Sequence, residues 1–283
     1  MEQIRQAIEL AKSGTVASAE QEDRYRGSSP RPHAGAAAGR SRPALRIDEF
    51  VSPIKVVDLD WQHLERRRII AHNTADPRVK SFDMLRTQVL QSMNQRNWQF
   101  LAVTSPTPGC GKTVTAINLA LSIARQPERS VLLVDLDFQK PQVANCLGLD
   151  CDQGVLSLFD GRVTLADAMV QACTGNHQVL VLPTEFPIVG SSELIASRAM
   201  TTLLQDIKRD FKSRTVIFDM PPMLASDDVI ALLPQIDCVL LVAAVGTSTV
   251  SELKECSKHL QSAEVVRLVL NKASEPISRY YKY

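Results

Sequence analysis

Short, continuous apolar runs alternate along this chain with longer stretches in which apolar residues recur at helical spacing. The predicted strands lie near residues 100–104, 130–135, 179–182, 214–218, 237–244 and 264–270. The predicted helices lie near residues 112–126, 141–147, 154–160, 164–172, 191–210, 225–233 and 248–261. Because strands that are apolar on both sides must be covered on both sides, the alternation predicts an α/β fold with a doubly wound, mostly parallel sheet.

The N-terminal quarter of the chain carries a weaker pattern. Residues 1–44 combine a short helical period with a stretch rich in Ser, Gly, Ala, Pro and Arg, which predicts a helix and a disordered linker. The arginine-rich linker is interpreted as a solvated tether, and weak attraction to anionic lipid or to an acidic partner is the alternative. Residues 45–75 are predicted to form a lead-in segment, with a short extended piece and a helix that starts near Asp60.

A clearer helix is predicted to open at Asp76-Pro77, because proline suits the first position of a helix. The apolar residues that fall on one face of this helix are Phe82, Leu85, Val89 and Met93. The main domain is predicted to span residues 76–275, and a short tail follows at residues 276–283.

The most informative segment is a Pro/Gly-rich turn between the first predicted strand and the next helix. Gly109 and Gly111 allow backbone conformations closed to other residues and a close approach to a ligand. The N–H groups of such a turn and the positive end of the following helix face the same anion. Lys112 can supply a charge for the outer phosphates, and Thr113 a hydroxyl for Mg²⁺. The turn predicts a nucleoside triphosphate site, and an ordinary glycine turn is the alternative.

Three aspartates end two of the predicted strands. Asp135 and Asp137 close the second strand, and Asp219 closes a later one. Ligands bind at the carboxyl ends of strands in open α/β sheets, and a strand-end Asp commonly holds Mg²⁺ in P-loop ATPases. Thr113, Asp137 and Asp219 are therefore predicted to hold Mg²⁺, partly through water. Asp135 and Asp137 both remain candidates for the general base.

The last predicted strand ends at Asn271, which is predicted to hydrogen-bond the nucleotide base. A turn-forming asparagine is the alternative interpretation. The predicted nucleotide-binding residues are then Gly109, Cys110, Gly111, Lys112, Thr113, Val114 and Asn271.

Three of the four tyrosines lie beyond the last predicted strand, at Tyr280, Tyr281 and Tyr283. An accessible tyrosine cluster predicts phospho-acceptors, whereas packing of a folded-back tail is the alternative. A phenol has a pKa of about 10, so it needs a base to become a nucleophile. Asp135 or Asp137 could provide that base.

Composition excludes some classes of function and leaves the nucleotide interpretation intact. The net charge of +1 gives no basis for nucleic-acid binding, and 45% apolar with 22% charged residues is typical of a soluble globular protein. The six cysteines form no CxxC pair, so no metal cluster is expected; Cys110 alone lies in the turn. The longest apolar run, 238–245, is too short to span a bilayer. The protein is expected to be cytoplasmic, with docking on a membrane partner left open.

Several motifs together resemble the bacterial tyrosine autokinases, or BY-kinases, of capsular and exopolysaccharide biosynthesis. These motifs are TSPTPGCGKT, VLLVDLDFQKP, VIFDMPP and the tyrosine-ended tail, with PRVKSFDMLRTQV and SSELIASRAM as further similar stretches. The resemblance covers roughly residues 65–283. It implies a P-loop NTPase architecture of the deviant Walker A, MinD-like type, with ATP and Mg²⁺ as cofactors.

The resemblance also implies a reaction and partners. The expected reaction transfers the ATP γ-phosphate to C-terminal tyrosines, usually between subunits of a homo-oligomeric ring. The expected activator is a membrane polysaccharide co-polymerase of the Wzz-like type. Without a membrane segment, the chain resembles the separate cytoplasmic form of the family, recruited to the membrane by that partner.

The sequence departs from the family at two places. Gln139 stands where the family commonly has an arginine or similar base. Lys80, Asp83 and Arg86 stand where a ring-forming helix commonly reads Glu-x-x-Arg-x-x-Arg, so two charges are reversed in sign. The ring contact could be kept if the partner residues on the neighbouring subunit are reversed in sign as well.

Three other kinds of protein are considered. A ParA/MinD-like ATPase switch would carry a lysine early in the loop, where this chain has Thr107 followed by Pro108. A dehydrogenase is disfavoured, because no Gly-x-Gly-x-x-Gly turn is present. A non-catalytic regulator that binds ATP without transferring phosphate stays open as an alternative.

Overall fold

An eight-stranded sheet lies at the centre of the computed structural model, which describes residues 54–212, 214–261 and 263–273. In chain order the strands are β1 (Lys55–Asp58), β2 (Phe100–Thr104), β3 (Val131–Asp135), β4 (Val170–Thr174), β5 (His177–Leu182), β6 (Thr215–Asp219), β7 (Cys238–Ala244) and β8 (Val265–Asn271). Their order across the sheet is β1-β4-β5-β3-β6-β2-β7-β8. Neighbouring strands are parallel except for β4 and β5, which are antiparallel. The predicted α/β class with a mostly parallel sheet is confirmed.

Helices cover both faces of this sheet. Within the described ranges they are α1 (Trp61–Arg66), α2 (Val79–Arg96), α3 (Lys112–Ala124), α4 (Val143–Leu147), α5 (Val155–Phe159), α6 (Leu165–Ala168), α7 (Ser191–Ile195), α8 (Arg198–Asp210), α9 (Asp228–Leu232) and α10 (Val250–His259). Among these helices, none is long and apolar enough to cross a bilayer. The predictions for residues 1–44 and for the tail at residues 276–283 lie outside the described residues.

The central strand β2 illustrates why the sheet is buried on both sides. Successive side chains of a strand point to opposite faces. Phe100 and Ala102 belong to the apolar cluster on one face, and Leu101 and Val103 belong to the cluster on the other. On the first face the rings of Phe100 and Phe218 meet edge to face, with their centroids 5.2 Å apart. Near-continuous apolar strands are thus explained by two cores that share one sheet.

The predicted helix over residues 164–172 is wrong in its second half. A capping box formed by Thr164 and Asp167 starts α6, but the helix ends at Ala168 and the chain continues as β4. Pairing with β1 on one side and β5 on the other stabilises the extended form. The two-residue turn Gly175-Asn176, with φ of 58° at Gly175, joins β4 to β5. This hairpin signal was present in the sequence, but the helical spacing before it obscured it.

The single helix predicted over residues 191–210 is in fact two helices, α7 and α8. Ser197 adopts an extended conformation, and its hydroxyl accepts a hydrogen bond from the backbone N–H of Met200 at 3.2 Å. A serine N-cap of this kind starts a new helix, so α7 and α8 are separate helices.

Two further helix boundaries differ from the prediction. The helix predicted to start near Asp60 ends at Arg66, and Arg68 has a left-handed φ of 62° that cannot continue it. The helix predicted to open at Pro77 begins at Val79. The Asp76 carboxylate accepts a hydrogen bond from the backbone N–H two residues later at 2.9 Å, which closes a turn before the helix starts.

The lead-in segment from residue 54 to residue 73 is built into the fold. Its strand β1 forms one edge of the sheet, and its later residues are held by Asn118 of α3. The buried Asn118 carbonyl accepts from the N–H groups of Ile70 and Ala71 at 2.8 and 2.9 Å, while its amide donates to the carbonyl of Arg68 at 3.1 Å. One side chain therefore fixes the lead-in segment to the helix that follows the glycine turn.

We expect Asn118→Ala to lower the free energy of unfolding by about 2–4 kcal/mol, because two buried N–H groups lose their acceptor. Asn94→Ala is the matched control, since Asn94 accepts one exposed hydrogen bond from Arg129 at 3.3 Å, and it should cost less than about 0.5 kcal/mol. Urea denaturation of both variants measures the difference. Equal effects would contradict the assigned role of Asn118.

Candidate functional site

The loop between β2 and α3 has the backbone shape that its glycines predict. Gly109 and Gly111 have left-handed φ values of 82° and 91°, and Gly111 is the residue from which α3 starts. A Cβ atom on Gly111 would lie 2.3 Å from the amide nitrogen of Asn271. Only glycine fits at that position, because both the conformation and the space exclude a side chain.

The loop is held in place from the neighbouring strand ends. Asn271, the last residue of β8, donates from Nδ2 to the Cys110 carbonyl at 2.9 Å. Its Oδ1 accepts from the backbone N–H of Lys272 at 2.8 Å. The sulfur of Cys110 is buried and lies 3.3 Å from the hydroxyl of Ser248. Asn271 thus fastens the loop, and its predicted contact with a nucleotide base stays a prediction.

Lys112 and Thr113, the first residues of α3, meet two of the predicted aspartates. The Lys112 ammonium donates to Asp137 Oδ2 at 2.6 Å and lies 3.7 Å from Asp219 Oδ2. The Thr113 hydroxyl donates to the same Asp219 oxygen at 2.6 Å. The carboxyl ends of β3 and β6 and the start of α3 are therefore joined by one buried polar cluster.

The electrostatics of this cluster follow from its burial. Removal from water raises the pKa of Asp135 to about 8, and the charge of Asp219 adds to this effect. Burial also raises the pKa of Asp219, against the opposing effects of Lys112 and Thr113. Burial acts to lower the pKa of Lys112, but the charges of Asp219 and Asp137 outweigh it and leave the pKa raised. The lysine is thus held as a cation.

Asp135 is placed differently from Asp137, although the two lie close in sequence. Asp135 is fully buried, and both of its oxygens accept backbone N–H groups. The donors are those of Asp137 at 3.2 Å, Gln142 at 3.0 Å and Val143 at 2.9 Å. These bonds shape the turn that carries Asp137. Asp137 keeps a small exposed fraction of 3%, and its carboxylate contacts Lys112.

One buried atom in the cluster has spare capacity to bind a ligand. Asp219 Oδ1 is enclosed but receives no hydrogen bond from the residues that the structure describes, while Oδ2 accepts a hydrogen bond from the Thr113 hydroxyl. A hydroxyl and carboxylate oxygens are hard donors of the kind that Mg²⁺ prefers. In the described ranges no three His, Cys, Asp or Glu side chains could enclose a metal ion by themselves. A nucleotide-bound Mg²⁺ needs only one or two carboxylates, so Thr113, Asp137 and Asp219 fit it.

The segment after β6 connects this cluster to the glycine loop and to Gln139. The hydroxyl of Thr104 donates to the Pro221 carbonyl at 2.7 Å, and the N–H of Met223 donates to the Ser105 carbonyl at 2.8 Å. Further along, the Gln139 amide donates to the Ser226 hydroxyl at 3.1 Å. Sequence reasoning missed these contacts, because each joins segments more than 80 residues apart in the chain.

The helix residues that depart from the family pattern have partners inside the molecule. Asp83 on α2 accepts two hydrogen bonds from Arg125, at 2.9 and 3.1 Å, and one from Ser122 at 2.7 Å. Arg86 donates to Asp83 at 3.2 Å and to the Ser122 carbonyl at 2.9 Å. This network joins α2 to α3. A role for Lys80, Asp83 and Arg86 between subunits stays a prediction.

Most predicted site residues come together at one edge of the sheet. The loop glycines, Cys110, Lys112, Thr113 and the three aspartates surround the start of α3, and Asn271 closes one side. Val114 lies one position further along α3, where it packs against the core. The tyrosines at 280, 281 and 283 lie outside the described residues.

Comparison with known proteins identifies the relatives of this chain. Residues 99–281 match the model of a family described as "AAA domain". EpsB of Ralstonia solanacearum is 32% identical to this chain over 237 residues, which are 80% of this chain and 30% of EpsB. EpsB is itself assigned as a tyrosine-protein kinase by inference. The tyrosine-protein kinase YwqD of Bacillus subtilis is 29% identical over 205 residues, covering 72% of this chain and 84% of YwqD.

A solved structure gives the same result. The kinase domain of the Escherichia coli tyrosine kinase ETK superposes with a TM-score of 0.66 at 25% identity, covering 82% of this chain and 93% of that one. The chain spans less than a third of the length of the first curated relatives, 30% in the case of EpsB. The resemblance to bacterial tyrosine kinases that the motifs indicated is confirmed.

We expect Gly111→Ala to lower the free energy of unfolding by more than Gly161→Ala. Both glycines have left-handed φ values, 91° and 66°, but only a Cβ at position 111 meets another residue. The backbone term costs about 1–2 kcal/mol at either position. Adding Asn271→Ala to Gly111→Ala should cost less than the two single effects together, because the steric conflict disappears. Chemical denaturation of the four variants measures the coupling, and strict additivity would contradict it.

Proposed function

We propose a function from one premise: the chain belongs to the AAA domain family and is a relative of the bacterial tyrosine-protein kinases. On that premise it is an ATP-dependent protein-tyrosine kinase that uses Mg²⁺ and acts on its own C-terminal tyrosines. Its role would be the control of exopolysaccharide or capsule production. These statements go beyond the relatives' shared kinase identity and are proposals for this chain.

A single observation carries the proposal: a buried lysine at a helix N-terminus contacts carboxylates from two neighbouring strand ends. Lys112 lies 2.6 Å from Asp137 and 3.7 Å from Asp219. A buried ammonium and carboxylates in such an arrangement cost free energy to desolvate, which a purely structural role does not require. A phosphate group and its cation would use both kinds of charge.

The roles of the loop residues follow from their positions. The Lys112 ammonium and the loop N–H groups would bind the β- and γ-phosphates and stabilise negative charge as it moves towards ADP. Thr113, Asp137 and Asp219 would hold Mg²⁺, which when bound supplies positive charge to the phosphate oxygens. In the reaction the tyrosine oxygen bonds to the γ-phosphorus, the bond from that phosphorus to ADP breaks, and the phenolic proton passes to a carboxylate.

Asp137 is the better placed of the two candidate bases. Both oxygens of Asp135 are engaged by backbone N–H groups, and the residue is fully buried. Asp135 would therefore act as a positioning residue, holding the turn that presents Asp137. Asp137 retains surface and lies beside Lys112, so a tyrosine that approaches the phosphates would meet it first.

The proposed acceptors and partners come from the sequence and the relatives. Tyr280, Tyr281 and Tyr283 supply hydroxyls in a segment with Arg279 and Lys282. Transfer between the subunits of a homo-oligomer and activation by a membrane polysaccharide co-polymerase are proposed from the family resemblance.

We expect Lys112→Met to abolish phosphotyrosine on the purified protein, because the phosphates lose their buried cation. Lys140→Met is the matched control, since Lys140 is exposed and follows the same carboxylate loop, and it should retain activity. Replacing Tyr280, Tyr281 and Tyr283 with Phe should remove the phosphotyrosine and leave ATP affinity unchanged. Mass spectrometry after incubation with ATP and Mg²⁺, with and without the membrane partner, gives the readout. ATP binding without phosphotyrosine in every condition would favour the non-catalytic regulator.

We expect Asp137→Asn and Asp135→Asn to fail in different ways. Asp137→Asn should slow transfer at saturating ATP by about 10²–10⁴-fold, because the base is lost, while Asp219 remains as a carboxylate partner for Lys112. Asp135→Asn should lower thermal stability, because an amide cannot accept all three backbone N–H groups. Single-turnover transfer and thermal unfolding of both variants separate the two roles. An unchanged melting temperature together with lost transfer in Asp135→Asn would instead identify Asp135 as the base.

A further inference from the structure

The turn that carries Asp137 leads into a very short helix. We call residues 136–142 the Asp137 turn; they connect β3 to α4, which has only five residues. A helix of that length is not stable by itself, because its nucleation costs more free energy than so few hydrogen bonds recover. The position of the Asp137 turn therefore depends on the groups that hold α4 at its two ends.

The first end of α4 is held by Asp135. One oxygen of this buried carboxylate, Oδ2, accepts the backbone N–H groups of Gln142 at 3.0 Å and Val143 at 2.9 Å. Val143 is the first residue of α4, and the N–H groups at the start of a helix have no partner within the helix. These two bonds join the end of the Asp137 turn to the end of β3.

The last turn of α4 is held by residues of the lead-in segment. His63 on α1 donates from Nε2 to the backbone carbonyl of Asn145 at 2.9 Å. Arg67, which directly follows α1, donates to the side-chain oxygen Oδ1 of the same asparagine at 2.9 Å. Carbonyl groups near the end of a helix lack intrahelical donors, and basic side chains are well suited to supply them. Both bonds therefore stabilise the C-terminal end of α4.

The two ends of α4 are connected through Asn145. Its Nδ2 donates to the side-chain oxygen Oε1 of Gln142 at 3.3 Å. The backbone N–H of Gln142 is in turn one of the groups bonded to Asp135. A continuous series of hydrogen bonds thus runs from α1 through Asn145 and Gln142 to the carboxylate at the start of the Asp137 turn.

Apolar packing accompanies these hydrogen bonds. Leu64 of α1 is fully buried, and it belongs to the same apolar cluster as Cys146 and Leu147 of α4. The His63 ring lies against Gly148, since a Cβ atom on that glycine would be 3.2 Å from the ring carbon Cδ2. The helices α1 and α4 are therefore joined by close packing as well as by polar contacts.

The helix α1 is itself fixed on both sides along the chain. The strand β1 precedes it and pairs with β4 in the central sheet. The residues that follow it, Ile70 and Ala71, donate their N–H groups to the buried Asn118 of α3. A segment that is attached at both ends to the core can act as an anchor for a short helix beside it.

The matched family region does not include this anchor. That region spans residues 99–281, and it contains the glycine loop, the three aspartates and Asn271. The helix α1 ends at Arg66, more than 30 residues before the region begins. The lead-in segment thus adds a support to a site whose other parts lie within the matched region.

We propose that His63 and Arg67 are positioning residues for phosphate transfer. Through α4 they hold the Asp137 turn, and with it the carboxylate that accepts the tyrosine proton. This inference rests on the proposed function, which gives Asp137 that role. The glycine loop is held separately, by Asn271, so the loss of His63 or Arg67 should affect transfer more than ATP binding.

Hydrogen–deuterium exchange followed by NMR tests the anchoring without catalysis. The backbone amides of Gln142 and Val143 are the probe amides. We expect His63→Ala and Arg67→Ala each to accelerate their exchange about fivefold, because α4 opens more often. The amides of β7, on the other side of the sheet, should keep their rates. His63→Gln should restore slow exchange, because its side-chain amide can donate to the same carbonyl.

Arg66→Ala and His259→Ala are the matched controls. Arg66 is exposed on α1 next to Arg67, and His259 is exposed at the end of α10, which follows β7. Both variants should exchange at the probe amides as the wild type does. Unchanged exchange there in the two test variants would overturn the proposal. An equal acceleration in β7 would also overturn it, because it would indicate a general loss of stability.

Single-turnover phosphate transfer tests the consequence for catalysis. His63→Ala and Arg67→Ala should slow transfer at saturating ATP about fivefold to tenfold, because the proton acceptor is less well placed. The dissociation constant for ATP should change by less than about twofold, and His63→Gln should recover the rate. Wild-type transfer in variants whose probe amides exchange faster would refute the positioning role.

Failure of the proposed function gives a different result. If the wild type transfers no phosphate in any condition, with or without the membrane partner, the kinase and the catalytic role of His63 and Arg67 are refuted together. Faster exchange at the probe amides in the two test variants would in that case still show that α1 holds α4.

Discussion

The buried contact between Lys112 and the carboxylates of Asp137 and Asp219 is the constraint on which the rest of the site depends. A lone ammonium in this position would be costly to remove from water, and so would unpaired carboxylates. The buried lysine is therefore stable only beside the aspartates, and the aspartates only beside the lysine. The lysine begins α3, and the acids lie at the ends of β3 and β6. The attraction between these charges therefore fixes the helix against two strand ends.

The sheet order brings these strand ends together. β3, β6 and β2 are consecutive at the centre of the sheet, so the loop after β2 lies beside the ends of the other two. In a parallel sheet all three carboxyl ends lie at the same edge. The β4–β5 hairpin and β1 extend the sheet on the side next to β3, and the loop after β5 becomes the rim of the site. The position of that rim is thus a consequence of topology.

Positioning in this protein is done largely by polar side chains that bond to backbone. Asp135 holds the turn that presents Asp137, Asn271 holds the loop carbonyl of Cys110, and Asn118 holds the lead-in segment on α3. Each is buried or half-buried, where an unpaired backbone group is costly. A network of this kind fixes the glycine loop and the strand-end carboxylates relative to one another, as the proposed function requires.

The sequence alone determined the fold class and predicted most of the residues that gather at the start of α3, because its signals are local. The glycine turn, the strand-end aspartates and the alternation of strands and helices each depend on residues close together in the chain. It missed β4, whose extended form depends on pairing with β1 and β5 more than on local preference. Only the tertiary structure separated Asp135 from Asp137, since two residues apart in sequence they have different hydrogen-bond partners. It also decided that Gln139 meets Ser226 and that Thr184 bonds to the Asp135 carbonyl, because these contacts join segments 40 or more residues apart.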